Sequence, residues 1–266
     1  MEGRWVEVGD RVFACRYAEL DLTVGLVVGE DGCLVVDTRG DEAQGAEFAA
    51  AVRDITATPW SVVLTHAHFD HVLGTAAFLP APVWAHERAR LVPGADLGRD
   101  QFARQYAAEG RTGLADALAR ARVVTPDRTV RDRATIDVGG RSVHFDHFGA
   151  GHTDNDLVVT VPDAGVVFAG DLIEHDAATG SFSAESFGPD TCLSNWPNAL
   201  SSIVAIDPTT VICGHGEPVD RDFVIFARDQ LLTLVSLRDG ETGIREAITS
   251  TSLPEDVVRA VLTTTD

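Results

Sequence analysis

Lysine is missing from this 266-residue chain: all 21 basic residues are arginine, against 41 acidic ones, for a formal net charge of -20. An enzyme acting on polynucleotides needs a cationic footprint to replace the counterions it releases. No basic cluster of that kind exists here, so the sequence argues against nucleic-acid substrates. The four cysteines, Cys15, Cys33, Cys192 and Cys213, lack Cys-x-x-Cys spacing and lie mostly within apolar runs. They read as reduced, buried thiols of a cytoplasmic protein. No apolar run approaches the roughly 20 residues of a membrane span, and Met1 to Glu7 has no basic region followed by an apolar stretch, so neither a membrane anchor nor a signal peptide is expected. Short-period repeats and low-complexity linkers are also lacking.

What is present is enough apolar residue, 45%, for one large α/β domain or two small ones. Residues 11–17, 22–28 and 33–37 read as strands, with the glycine-bounded turn Gly29 to Gly32 joining the last two as a hairpin. Glu42 to Val52 has helical spacing, Ser61 to Leu64 reads as a buried strand, and Val72 to Phe78 as the opening of a helix. Pro82 to Ala85 is a short strand ending at His86. Glu87 to Arg122 reads as two or three helices, in which Phe102 and Tyr106 share a face. A second β-rich half follows, at residues 123–125, 134–138, 142–148, 157–161 and 166–169, with a tight turn at Gly139-Gly140. Helices are expected at 195–206 and 220–237, a strand at 210–213, and a last helix at 257–262 behind the capping-box spacing of Ser252 and Glu255. Strands then helix occur once in each half, which predicts two sheets packed face to face with helices outside.

The chemistry concentrates in Thr65-His66-Ala67-His68-Phe69-Asp70-His71. On an extended segment His66, His68 and Asp70 share one side, and His71 swings in as the backbone turns into a helix. Imidazoles and a carboxylate are what borderline divalent ions such as zinc prefer. Three further candidates are set beside glycine: Gly151-His152, Gly170-Asp171 and Gly214-His215-Gly216. Lacking a Cβ, glycine lets the backbone crowd a metal centre. Seven ligands are too many for one tetrahedral ion.

The order His66-x-His68-x-Asp70-His71, His152, Asp171, His215 resembles the metallo-β-lactamase-fold hydrolase superfamily over about residues 10 to 220. Gly151 to Leu157 and Phe168 to Leu172 most resemble its quinoprotein relay system zinc metallohydrolase subgroup. The resemblance implies an α/β four-layer αβ/βα sandwich, here a single domain spanning 1–266 with a helical insert at about 87–122 and a helical tail at about 220–266. It implies His66, His68 and His152 on one metal, Asp70, His71 and His215 on the other, Asp171 bridging them, and Asp37 in a structural role at a strand end. Two Zn2+ are expected, with Fe or Mn as other occupants. The activity implied is a hydrolase whose metal-bound hydroxide attacks an ester, thioester or amide-like small molecule, with Asp70 able to accept or deliver a proton.

Departures from other branches weigh the alternatives. Zinc β-lactamases lack a bridging aspartate and several grip substrate with lysine, so a dedicated β-lactamase fits less well, while a (promiscuous) β-lactamase stays among the alternatives. Lactonases of the fold place a tyrosine near the metals, and Tyr17 and Tyr106 lie far from every ligand motif in sequence. Glyoxalase II-like thioesterases keep the bridging aspartate, and flavodiiron proteins carry glutamate where His68 stands. A mononuclear iron persulfide dioxygenase and a non-catalytic metal-binding module are the alternatives of different class. The insert and the loop from Ile173 to Trp196 are expected to wall the pocket. His175 and the aromatics Phe182, Phe187 and Trp196 are candidate pocket residues, with His86 behind the ligands. His144 and His147, and the thiol of Cys213, are expected to serve packing.

Overall fold

The computed structural model describes residues 3–240, 244–251 and 253–263. Strands β1 (Arg4–Gly9), β2 (Val12–Arg16), β3 (Thr23–Val28), β4 (Cys33–Val36), β5 (Trp60–Val63), β6 (Val83–His86) and β7 (Arg128–Val130) form one sheet in that order. The first four are antiparallel neighbours joined by short turns. From β4 onward the pairing is parallel, because longer connections return the chain over one face. The first of these carries α1 (Glu42–Ile55), and the last carries the insert helices α3 (Arg99–Ala108) and α4 (Thr112–Arg120). Between them, α2 (Phe69–Val72) is one short turn.

The second sheet runs β8 (Arg133–Val138), β9 (Arg141–Asp146), β10 (Val158–Val161), β11 (Val166–His175) and β12 (Thr210–Gly216). It is antiparallel except for β11 and β12, which α5 (Trp196–Ile206) joins as a parallel pair. Helices α6 (Arg221–Asp239), α7 (Ile244–Thr251) and α8 (Glu255–Thr263) follow.

Alternation within strands sorts the apolar residues into layers. Leu34 and Val36 of β4, Val166 and Phe168 of β11 and Ile212 of β12 meet in one buried cluster between the sheets. Their neighbours Cys33 and Val35 face outward with Phe48 and Val52 of α1. Val167 and Ala169, with Val211 and Cys213, face Leu200, Val224 and Val258 of the other helical layer. The result is helix, sheet, sheet, helix, the four-layer α/β sandwich expected. Gly25 sits where the sheets approach closely: a Cβ there would lie 2.2 Å from the Phe168 ring.

Several elements differ from the sequence reading. β1 has no counterpart in it. Residues 123–125 form no strand; β7 starts after Pro126, which has no N–H to donate. Val72 to Phe78 is not one helix, because Gly74 packs against backbone. A Cβ on it would lie 1.9 Å from the Thr38 carbonyl oxygen, and a separate 3-10 turn, Thr75–Phe78, follows. β11 runs six residues past Ala169 and β12 three past Cys213, so Asp171 and His215 lie within strands. Ser252 of the expected cap lies outside the described residues.

Candidate metal centre

Every ligand candidate sits at the edge of the sandwich where β5, β9, β11 and β12 end or bend. His66 and His68 lie between β5 and α2, Asp70 and His71 in α2, and His152 in the loop after β9. β11 carries Asp171 through a double irregularity in its pairing with β12, where Gly170 pairs with Cys213 and Glu174 with His215. Gly170 has φ +53°, and a Cβ on Gly214 would fall 1.7 Å from Asp171 Oδ1. The glycines flanking the ligands are thus needed for close approach.

Seven residues converge into two groups: His66, His68, His152 and Asp171 in one, Asp70, His71 and His215 in the other. Asp171 touches both. Its Oδ2 lies 3.4 Å from His66 Nε2, 3.5 Å from His152 Nε2 and 3.3 Å from His215 Nε2, and its Oδ1 lies 3.2 Å from His71 Nε2. Asp70 Oδ2 stands 3.4 Å from His215 Nε2 and 3.7 Å from His71 Nε2. Two ligand atoms on one tetrahedral zinc ion are about 3.3 Å apart, so these spacings suit shared ions.

The outward ring nitrogens fix which nitrogen points inward. His66 Nδ1 lies 3.1 Å from Thr65 Oγ1, His71 Nδ1 2.9 Å from Asp37 Oδ2, His152 Nδ1 3.1 Å from the Ser186 carbonyl and His215 Nδ1 2.8 Å from the Leu20 carbonyl. His68 is turned the other way, Nε2 outward, 3.0 Å from Asp190 Oδ2. Acceptors outside leave lone pairs inside on the neutral rings. His68 Nδ1 and His152 Nε2 then face each other at 3.0 Å, two lone pairs that repel unless a cation or a proton lies between them. His66 Nε2, His71 Nε2 and Asp171 Oδ1 are buried without a hydrogen-bond partner, a costly state for polar atoms. A pair of divalent cations fits all of these atoms at once.

Charge separates most of the first group from the second, His68 being the exception: burial pulls it down, but the hydrogen bond and charge of Asp190 raise it above an ordinary histidine. Burial holds His66 well below an ordinary histidine and His152 down to about 4. Burial acts the same way on His71 and His215, but the carboxylates of Asp171 and Asp70 outweigh it and raise both well above the usual range. Asp70 and Asp171 are held low, since neighbouring histidines overcome the cost of burial. Metal ligands must be deprotonated to bind. Zinc entering the Asp70, His71, His215 group at neutral pH should therefore displace protons, and its affinity there should climb as pH rises. Calorimetry of zinc binding at pH 7 in two buffers of different ionisation enthalpy reads this directly; release of less than one proton in all would contradict it.

Other residues sort themselves around this centre. Tyr106, remote from every motif in sequence, lines a shallow solvent-open recess together with Asp70, Phe69, Leu114 and Leu118. Its hydroxyl donates to Glu19 at 2.9 Å, and Arg111 pairs with the same carboxylate. The insert therefore does stand beside the ligands, and the separation of the tyrosines from the site holds only for Tyr17, which is buried under Arg39. The loop after β11 supplies Ser186 and Asp190. Phe182, Phe187 and Trp196 form a buried aromatic cluster under that loop, with Trp196 edge-on to His152. His175 packs on Phe223 of α6. His86 and His147 stack with centroids 4.0 Å apart, while His144 lies near Ser142 on β9. Cys213 is a buried thiol. Sequence reasoning missed Glu174, buried behind the site and accepting from Ser186 Oγ at 2.7 Å. Burial, then the charge of Asp171, pushes its carboxyl up to about 8.

The fold and the cluster together define an αβ/βα sandwich protein able to hold metal at one sheet edge. Residues 20–215 match the Metallo-beta-lactamase superfamily, and the chain belongs to it. It is 24% identical over 213 residues to a metallo-beta-lactamase type 2 of Bacillus cereus, covering 78% of this chain and 72% of that protein. It is 22% identical over 210 residues to the probable metallo-hydrolase YqgX of Bacillus subtilis, covering 77% and 88%. Among solved structures, the mono-zinc form of the metallo-beta-lactamase FIM-1 from Pseudomonas aeruginosa aligns with a TM-score of 0.63 at 20% identity, over 87% of this chain and 95% of that one. No helix among the described residues is long and apolar enough to cross a membrane.

Proposed function

We propose that this chain is a dinuclear zinc hydrolase acting on an ester, thioester or amide-like small molecule, nearest in kind to the quinoprotein relay system zinc metallohydrolases. The observation that carries this reading is Asp171: one carboxylate within 3.2–3.5 Å of histidine nitrogens from both groups. His66, His68 and His152 would hold one ion, Asp70, His71 and His215 the other, with Asp171 shared. When bound, the pair supplies Lewis acidity toward a carbonyl oxygen and toward water at neutral pH.

The residues' own contributions follow from their settings. Asp70 stays ionised beside His71 and His215 and opens on the recess, where its Oδ2 can accept a proton from an attacking water. Leu114, Leu118 and Phe69 shed water from that side. Glu19, tied up by Tyr106 and Arg111, presents little free charge. An uncharged substrate with an apolar part suits such a wall. The free cysteines agree with a reducing cytoplasmic setting. One domain over 1–266 is the organisation we adopt, the helices after residue 220 packing on the second sheet.

Elemental analysis of the purified protein should return about two zinc ions per chain, and a panel of thioesters, lactones, phosphoesters and β-lactams should reveal hydrolysis of a carbonyl substrate. One iron without zinc would replace this reading with the persulfide dioxygenase one. Metal without turnover of any substrate would leave a binding module.

A further inference from the structure

Of the five clustered histidines, His68 is held least by packing. Its side chain keeps 23% of its surface exposed, against 0–3% for His66, His71 and His152 and 19% for His215. It is also alone in pointing Nδ1 inward. Packing restrains its ring less than those of His66, His71 and His152, and its inverted orientation goes with a hydrogen bond on the outer nitrogen.

That bond is to Asp190, and we infer that Asp190 is a positioning residue for the three-histidine group. Its Oδ2 takes the Nε2–H of His68 at 3.0 Å, which fixes the tautomer and leaves the Nδ1 lone pair facing the cluster. Carboxylate partners of this kind orient a ligand imidazole and raise its basicity. Asp190 is itself only partly covered, its side chain keeping 48% of its surface exposed. As a half-exposed ion pair it would add almost nothing to stability. Its worth lies in aim.

The loop that carries Asp190 is fastened to the segment of another ligand. Thr191 Oγ1 accepts from the Gly188 N–H at 3.0 Å and donates to the His152 carbonyl at 3.2 Å, and the Cys192 N–H donates to the Gly151 carbonyl at 2.9 Å. Ser186, earlier in the loop, receives the Nδ1–H of His152. One loop therefore sets the outward contacts of both His68 and His152, and Asp190 locks the ring that packing leaves loosest.

This inference rests on the dinuclear reading above, and its test separates the two. Metal-stripped full-length protein, Asp190→Ala, Asp190→Asn and the loop control Glu185→Ala would be titrated with zinc against a competing chelator, and the metal-free melting temperatures compared. Asp190→Ala should weaken one of the two zinc equivalents by about 10–100-fold with an unchanged metal-free melting temperature. Asp190→Asn, whose amide oxygen still accepts from Nε2–H, should recover part of that loss, and Glu185→Ala should match the parent. A parent binding two zinc ions and an Asp190→Ala variant of equal affinity would overturn the inference alone. So would a loss in Glu185→Ala as large as in Asp190→Ala. A parent that binds no zinc would overturn the dinuclear reading as well.

Discussion

Asp171→Ala is expected to lower metal content from about two ions per chain to about one and to cut hydrolysis by at least about 100-fold, with the fold retained. The reasoning is electrostatic. Two divalent ions about 3.5–4 Å apart repel each other strongly, and Asp171 is the carboxylate that lies against histidines of both groups. Without it the first group keeps three histidines and the second keeps Asp70, His71 and His215. Neither then has a negative charge between the ions. Removing the side chain leaves a small space beside Gly214, whose backbone already crowds the carboxylate, so the strand pair β11 and β12 has no new clash to absorb. His144→Ala, on the body of β9, should change neither metal content nor rate. The measurement is elemental content and turnover for both variants beside the parent. Two ions and an unchanged rate in Asp171→Ala would remove the bridge from the mechanism.

The candidate ligands are legible in the sequence because they sit in two kinds of local signal. One is a dense motif, His66 to His71, and the other is a ligand beside glycine, as at His152, Asp171 and His215. Each signal has a local physical cause: a short reach between ligands, and backbone close enough to leave no room for a Cβ. Asp190, Tyr106 and Glu174 have no such mark. Asp190 is a loop acid among 41 acidic residues, and its value comes from His68, 122 positions away. Tyr106 reaches Asp70 only through the packing of α3 and α4 beside Glu19 and Leu20. Glu174 lies in a stretch that reads as loop. Its strand exists because β12 runs alongside as far as Gly216, a tertiary fact that overrides the local pattern. The layers themselves are readable from the order of elements, strands then helix once in each half, with β3, β4 and the start of β11 marked by apolar runs that are buried almost throughout. β1, at the sheet edge and only half-buried, carries no such run.

Asp37→Ala should do what Asp171→Ala does not, weakening fold and metal site together. Asp37 stands just past β4 with φ +62° and 2% of its surface exposed. Its Oδ1 accepts the Thr65 N–H at 2.7 Å, and its Oδ2 accepts the Thr65 hydroxyl at 2.8 Å and the His71 Nδ1–H at 2.9 Å. One side chain thereby ties the end of β4 to the ligand loop and to α2. Alanine would leave three buried donors without partners, each costing about 1–3 kcal/mol, and would sit in a left-handed conformation that aspartate tolerates better. The buried carboxylate's own desolvation cost is removed at the same time, which offsets part of the loss, so a net destabilisation of about 3–5 kcal/mol is expected. His71, freed to rotate or change tautomer, should also bind its ion about 10–100-fold more weakly. Urea denaturation of the metal-free protein and a zinc titration read the two effects separately. A stability loss under about 0.5 kcal/mol, the size of an ordinary surface substitution, would mean that this network does not tie the strand to the ligand loop. Retained stability in Asp171→Ala beside lost stability in Asp37→Ala would divide the labour of the two acids, with Asp171 serving the ions and Asp37 the scaffold that aims His71 at them.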